Sequence, residues 1–190
     1  SVEITFDTVD TGGVTSVNVS KSGPLPPSGF TIIPADTARY FHIQTTAAIK
    51  GPILVCFHYQ DSWVRGYEYK LRLLHYDSLS SSWQNITNTP QYPDTLKNVI
   101  CGQVTSLSPF ALAEPCCIGA SGNVNADPED ATDVADLTLL VDHLFISFAA
   151  LPCPDEANIN GDPGGTVDIS DLTALIDHLF ISFTPTAPCQ

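Results

Sequence analysis

Basic residues are scarce in this chain of 190 residues: 7 Lys or Arg stand against 21 Asp or Glu, a formal net charge of −14. From Cys117 onward there is no Lys or Arg beside 12 acids, while residues 1–116 hold the other 9 acids and all 7 bases. The tail therefore carries −12 and the rest −2. Acidity of this kind argues against nucleic acid and anionic lipid surfaces as partners. No stretch approaches the ~20 apolar residues of a membrane helix, so no membrane insertion of that type is expected. Gly-x-Ser-x-Gly, phosphate-loop and Cys-x-x-Cys zinc motifs are also missing. The chain opens at Ser1 without Met, as expected of a trimmed or processed mature chain whose export signal is not readable.

What is present is a repeat. Asn123-Val-Asn-Ala-Asp127 through Phe148 returns as Asn158-Ile-Asn-Gly-Asp162 through Phe183, offset by 35 residues at every matched position. A repeat of this period is one supersecondary unit copied. Its first half is a loop with side-chain oxygens at alternating positions: Asn123, Asn125, Asp127, then Asp133 and Asp136. The second copy supplies Asn158, Asn160, Asp162, Asp168 and Asp171.

A hard cation such as calcium takes roughly six to eight oxygens, and an EF-hand-type loop offers them at positions 1, 3, 5, 7, 9 and 12. Leaving out Pro128-Glu129 and Pro163-Gly164 brings both loops into that register. Position 6 is then Asp130 or Gly165, and position 7, a backbone carbonyl, is Ala131 or Thr166. Position 9 is Asp133 or Asp168, and position 12 is Asp136 or Asp171. Helix capping alone explains one Asp per copy, not five oxygen-bearing side chains at one spacing twice. Two divalent ions would also cancel about a third of the tail's charge.

The second half of each copy reads as an amphipathic helix. Leu137, Leu140, Val141, Leu144, Phe145 and Phe148 fall at i, i+3, i+4, i+7, i+8 and i+11. Leu172, Leu175, Ile176, Leu179, Phe180 and Phe183 repeat that face. Asp136 and Asp171 are placed where each helix starts, beside free amides. His143 and His178 match between copies and read as structural or interface residues.

Six cysteines indicate an oxidising compartment. Cys56 and Cys101 lie in apolar runs and are expected to pair. Cys116, Cys117, Cys153 and Cys189 bracket the repeats; which of Cys116 and Cys117 meets Cys153 and which meets Cys189 stays open.

Residues 1–115 read as short strands at Val2–Phe6, Val17–Val19, Tyr40–Ile43, Pro52–Tyr59, Tyr69–Tyr76, Trp83–Ile86, Lys97–Val104 and Pro109–Ala113, separated by Gly/Pro/Ser turns. This spacing predicts an all-β antiparallel sandwich, immunoglobulin-like or jelly-roll-like. The Pro/Gly segment 22–29 reads as a long surface loop. His42, His58 and His75 sit in strand runs, and Asp61, Glu68 and Asp77 are too scattered for an acid/base pair, so no enzyme is expected. Trp63, Tyr67, Trp83 and Tyr92 fall in or near loops, which keeps a glycan-binding or adhesin role as an alternative. Asn18-Val-Ser and Asn85-Ile-Thr fit a glycosylation sequon.

The duplicated Asn-x-Asn-x-Asp…Asp-x-x-Asp-Leu-Thr loop-helix resembles the type I-like dockerin repeats of bacterial extracellular proteins, over about residues 117–190 of a module expected to span 116–190. That resemblance implies a small α-helical, EF-hand-like module ordered by two calcium ions, with a helical face that docks on a cohesin β-sandwich. Positions 10 and 11, here Val134-Ala135 and Ile169-Ser170, are implied to select the partner. The chain departs from the family in having Asn at position 1 and a two-residue insertion, so calcium carries over and a cellulosomal partner does not. Residues 1–115 look like a β-sandwich of bacterial surface proteins, on Ser22-Gly-Pro…Phe30, Val55-Cys-Phe-His-Tyr59, Leu73-Leu-His-Tyr-Asp77 and the run from Val99 to Leu112. The expectation is a secreted, cell-surface, non-catalytic assembly protein. Its partner is a β-sandwich, either another copy, giving a head-to-tail filament, or a cohesin-like scaffold.

Overall fold

A computed structural model describes every residue except Ser108, Pro128, Asp130 and Gln190. The chain divides into two compact units, Ser1–Pro27 with Thr31–Pro115, and Ser28–Phe30 with Cys116–Gln190.

Unit 1 is built from β-branched and aromatic residues in alternation, which suits a pleated, half-buried surface. Its strands are β1 (Val2–Thr11), β2 (Thr15–Ser20), β3 (Phe30–Ile32), β4 (Tyr40–Thr45), β5 (Ala48–His58), β6 (Arg72–Asp77), β7 (Ser82–Asn85), β8 (Val99–Val104) and β9 (Phe110–Pro115). They form two antiparallel sheets: one ordered β1-β5-β8, the other β2-β4-β9-β6-β7 with β3 beside β9. Inward residues of both sheets share one core that includes Ile53, Val55, Phe57 and Ile100 from the first and Phe41, Ile43, Leu73, Phe110 and Leu112 from the second. Phe57 sits centrally, edge-on to Phe41 at 4.9 Å and tilted against Phe110 at 5.7 Å. An all-β core of two antiparallel sheets is thus what the alternation predicts.

Two details differ from the sequence expectation. β3 falls at the end of segment 22–29, where three residues are too few for a period-2 pattern to register. Tyr69 lies in a 3-10 turn, Glu68–Lys70, and β6 begins only at Arg72. The buried Glu114 carboxylate explains the preceding irregular stretch: it accepts from the amides of Arg65 and Gly66, each at 3.0 Å, and pairs with the Arg65 guanidinium at 3.3 Å. A buried carboxylate must find donors, so it fixes the loop that supplies them.

Cys56 and Cys101 oppose each other directly on β5 and β8 and are bonded. Cys116 is bonded to Cys153 and Cys117 to Cys189. Three disulfides fit an oxidising, extracellular setting. Among the described residues no helix is long and apolar enough to cross a membrane.

Unit 2 has two short helices, α1 (Val134–Val141) and α2 (Ile169–Ile176). Each starts three residues earlier than the sequence suggests. Asp133 and Asp168 are the N-caps, while Asp136 and Asp171 close a capping box from the third helical position. Each α-helix then widens: Ser147 donates its amide to the Asp142 carbonyl, and Ser182 to Asp177, both at 2.9 Å and five residues apart. The wide turn takes the chain out of the 3.6-residue phase. The expected apolar face therefore stops at Leu144 and Leu179, which pack inward, and Phe145, Phe148, Phe180 and Phe183 are exposed. Among the described residues the unit's core cluster is seven buried apolar side chains: Val124, Leu140, Leu151, Ala157, Ile159, Leu172 and Leu175. A core this small gives a marginal fold, and two disulfides brace it.

Candidate metal centres

The two loops preceding α1 and α2 fold the same way. Asp127's amide donates to Asn123 Oδ1 at 2.9 Å and to Asn125 Oδ1 at 2.8 Å. In the second loop Asp162's amide donates to Asn158 Oδ1 at 3.1 Å and Asn160 Oδ1 at 2.8 Å. Side-chain oxygens from positions 1 and 3 thus converge on one point in each copy. From the other side, Asp136 Oδ1 accepts from the Asn125 amide at 2.9 Å and Oδ2 from the Asp133 amide at 2.8 Å. Asp171 does the same with Asn160 at 3.2 Å and Asp168 at 3.0 Å. Asn at position 1 supplies a donor that Asp lacks: Asn123 and Asn158 also donate Nδ2 to the carbonyls of Asp127 and Asp162 at 2.9 and 3.1 Å.

Backbone geometry supports the curl. Gly165, at position 6, adopts φ +61°, the left-handed region that glycine enters freely. Gly122, just before Asn123, sits at φ +137°, and a Cβ there would come within 2.3 Å of Thr132 Oγ1. Its amide donates to the Glu156 carbonyl at 2.9 Å, and the Asn123 amide to Glu156 Oε2 at 3.1 Å. The buried residue that precedes the second loop therefore anchors the start of the first.

Asp136 and Asp171 are fully buried. Burial is the main cause that pushes the Asp136 carboxyl above its ordinary range; the two amides oppose this, and the charges of Asp133 and Asp127 add to it. Asp162 Oδ1 is buried with no hydrogen-bond partner. Orphaned buried carboxylate oxygens are costly and call for a cation or donor. The donor set is all oxygen, which suits a hard divalent cation rather than zinc.

Not every predicted ligand points into the loops. Asp133 and Asp168 turn an oxygen to the helix amides of Ala135 and Ser170, at 2.6 and 2.7 Å. Those hydrogen bonds hold the Asp168 carboxyl below its usual range. Ala131 donates its amide to Asp127 Oδ1 at 3.3 Å, and Thr166 is exposed. Asp130 and Pro128 lie outside the described residues. In neither loop, among the described residues, do donor oxygens of three carboxylates lie within 4.8 Å of one another. Among the described residues, the one group of three His, Cys or acidic side chains with donor atoms within 4.8 Å of one another is Cys117, Glu156 and Cys189. Its two cysteines are bonded to each other and offer no thiolate.

The remaining candidates fall as follows. Val134, Ala135, Ile169 and Ser170 are exposed on the first turns of α1 and α2. His143 and His178 each donate Nδ1–H to a carbonyl six residues on, Ala149 and Thr184, at 2.6 Å. That bond, which spacing alone does not reveal, clamps the chain after each helix. In unit 1, Trp83 is sandwiched near Tyr40 and Tyr76 and donates to the Leu25 carbonyl at 2.7 Å, while Trp63 and Tyr92 pack on the core. Tyr67 alone of the four loop aromatics is exposed, beside Tyr69. No family model, curated protein or solved structure matches the chain.

Proposed function

We propose that this chain is an extracellular, non-catalytic assembly protein. Each duplicated loop takes one calcium ion, and the ordered unit 2 docks on a β-sandwich partner, as the resemblance to dockerins implies. The observation that carries the reading is that in both loops two Asn side-chain oxygens meet on one Asp amide while a fully buried Asp carboxylate accepts from two amides of the same loop, and that in the second loop Asp162 Oδ1 is buried and unpartnered. Asn123, Asn125, Asp127 and Asp136 would hold the first ion, and Asn158, Asn160, Asp162 and Asp171 the second. Asp133 and Asp168 would contribute from position 9, and the carbonyls of Ala131 and Thr166 from position 7. Bound calcium neutralises the loop carboxylates, and because its sites are assembled only on folding, its binding energy adds to the stability of unit 2. At a free concentration of 100 times the dissociation constant, one site stabilises by about 2.7 kcal/mol.

Titration calorimetry with calcium is expected to show two bound ions, falling to one in Asp136→Asn or Asp171→Asn. Limited proteolysis in chelator is expected to cut unit 2 while residues 31–115 stay resistant. No saturable calcium uptake would remove the reading.

A further inference from the structure

Register fixes which way β2 faces. Val17 lies directly across from Ile43 and Val19 from Phe41, and Ile43 and Phe41 belong to the core. Directly opposed residues on paired strands share a face, so Val17 and Val19 point inward. They are nevertheless 39% and 57% exposed. Val9 on β1 opposes Ile49, which packs on the core, and is itself 49% exposed. The cause is strand number: the sheet β1-β5-β8 is too narrow to roof a sheet of six. The core partners Ile43 and Ile49 also line a cleft of about 560 Å³, together with Val14, Ile53 and Leu107.

Both β1 and β2 are sheet edges. Natural edges are blunted by charge, proline or bulges. β1 follows that rule, with Glu3, Asp7, Asp10 and two register shifts. β2, Thr15-Ser-Val-Asn-Val-Ser20, does not: it has no charge and no proline, and it pairs with β4 without a bulge. An inward-facing but uncovered apolar shelf on an unguarded edge is a docking surface by its physics.

Unit 2 has uncovered apolar surface of its own, twice. Phe145, Ile146 and Phe148 are exposed at the end of the first repeat, and Phe180, Ile181 and Phe183 at the end of the second. Phe148 and Phe183 are each 71% exposed and sit at φ +54° and +56°. A bulky side chain in the left-handed region is strained, and strain kept in solvent at matched positions marks a site of use.

We infer that these are the two halves of one interface: the Phe/Ile tips of one copy seat on the Val-lined shelf of a second copy. The inference rests on the reading of unit 2 as a docking module and names its partner and surface. Charge selects the pairing. Tip against tip would press together two bodies with no Lys or Arg that each carry −12, or −8 with two calcium ions bound, whereas residues 1–116 carry −2 and β2 is uncharged. Because the two surfaces differ, the contact is heterologous, and one copy's contact leaves its other surface free for the next.

The test uses the full chain in saturating calcium, with light scattering across concentration and calorimetry on the same samples. Wild type is expected to form concentration-dependent chains. Val17→Lys/Val19→Lys and Phe148→Ser/Phe183→Ser, all exposed positions, are each expected to stay monomeric while binding calcium as wild type does. Their equimolar mixture is expected to stop at a dimer, since one intact tip then meets one intact shelf. Three results overturn the inference: a calcium-loaded wild type that stays monomeric up to about a millimolar, the weak end of specific affinity; lysine variants that assemble unimpaired; or a mixture that stays monomeric. Absence of calcium heat removes the earlier reading of the loops, whatever the scattering shows.

Discussion

His75 illustrates what burial does to one side chain. It lies on β6, packed on the Phe110 ring at 4.7 Å between centroids. Burial lowers its pKa below the ordinary value, and the Asp77 carboxylate opposes that only in part. The folded chain therefore binds the imidazole proton less readily than the unfolded chain. Above the unfolded value of about 6.5 the two states are alike; as pH falls below it, the unfolded state takes up the proton first and unit 1 loses stability. The limiting slope is about 1.4 kcal/mol per pH unit. Urea midpoints for unit 1 between pH 7 and 5 should fall in wild type and flatten in His75→Phe. Equal slopes in both proteins would show that other groups govern the acid limb. Asp77 belongs to the exposed turn that follows: Ser80 Oγ at 2.7 Å and the Leu79 amide at 3.0 Å hold its carboxyl below the usual range.

At the scale of elements, the repeat was legible because it was written twice. Matched side chains adopt matched hydrogen bonds, and the strands of unit 1 follow from alternation in runs such as Val2-Glu-Ile-Thr-Phe. The helix ends were not legible. Spacing places Asp136 at the helix start and leaves Asp133 in the loop, whereas Asp133 takes the cap and Asp136 the third helical position, so α1 begins earlier than its apolar face. Nor does a 3.6-residue count foresee the wide turns, which depend on Asp142 accepting from Ser147 Oγ at 2.5 Å and on the matching Asp177–Ser182 bond. Those turns leave Phe148 and Phe183 in a backbone region that costs a bulky residue about 1–2 kcal/mol and glycine almost nothing. Phe148→Gly and Phe183→Gly should each stabilise unit 2 by about 0.5–1 kcal/mol, read from the guanidinium dependence of its amide exchange. Destabilisation by either change would mean that the rings pack well enough to offset their strained backbone.

For the whole molecule, the unequal cores matter most. Among the described residues, unit 1 buries a cluster of thirteen apolar side chains and unit 2 one of seven. Unit 2 compensates by covalent closure. Cys117 joins Cys189 across 72 residues, and the strand-like bridge of Ala120 to Pro188 runs beside that bond, with the Cys189 amide donating to the Gly119 carbonyl at 2.9 Å. Entry to and exit from the unit therefore lie side by side.

That closure has a mechanical consequence. Tension applied between unit 1 and residue 189 passes from Cys117 to Cys189 through two bonded sulfurs, so both loops and both helices lie off the load path. Pulled from those points, unit 2 should yield no length at forces that unravel ordinary domains, and only with reductant should a step approaching about 250 Å appear, the reach of 72 extended residues. Under such a load the small, acidic unit would keep both loops and both helices folded.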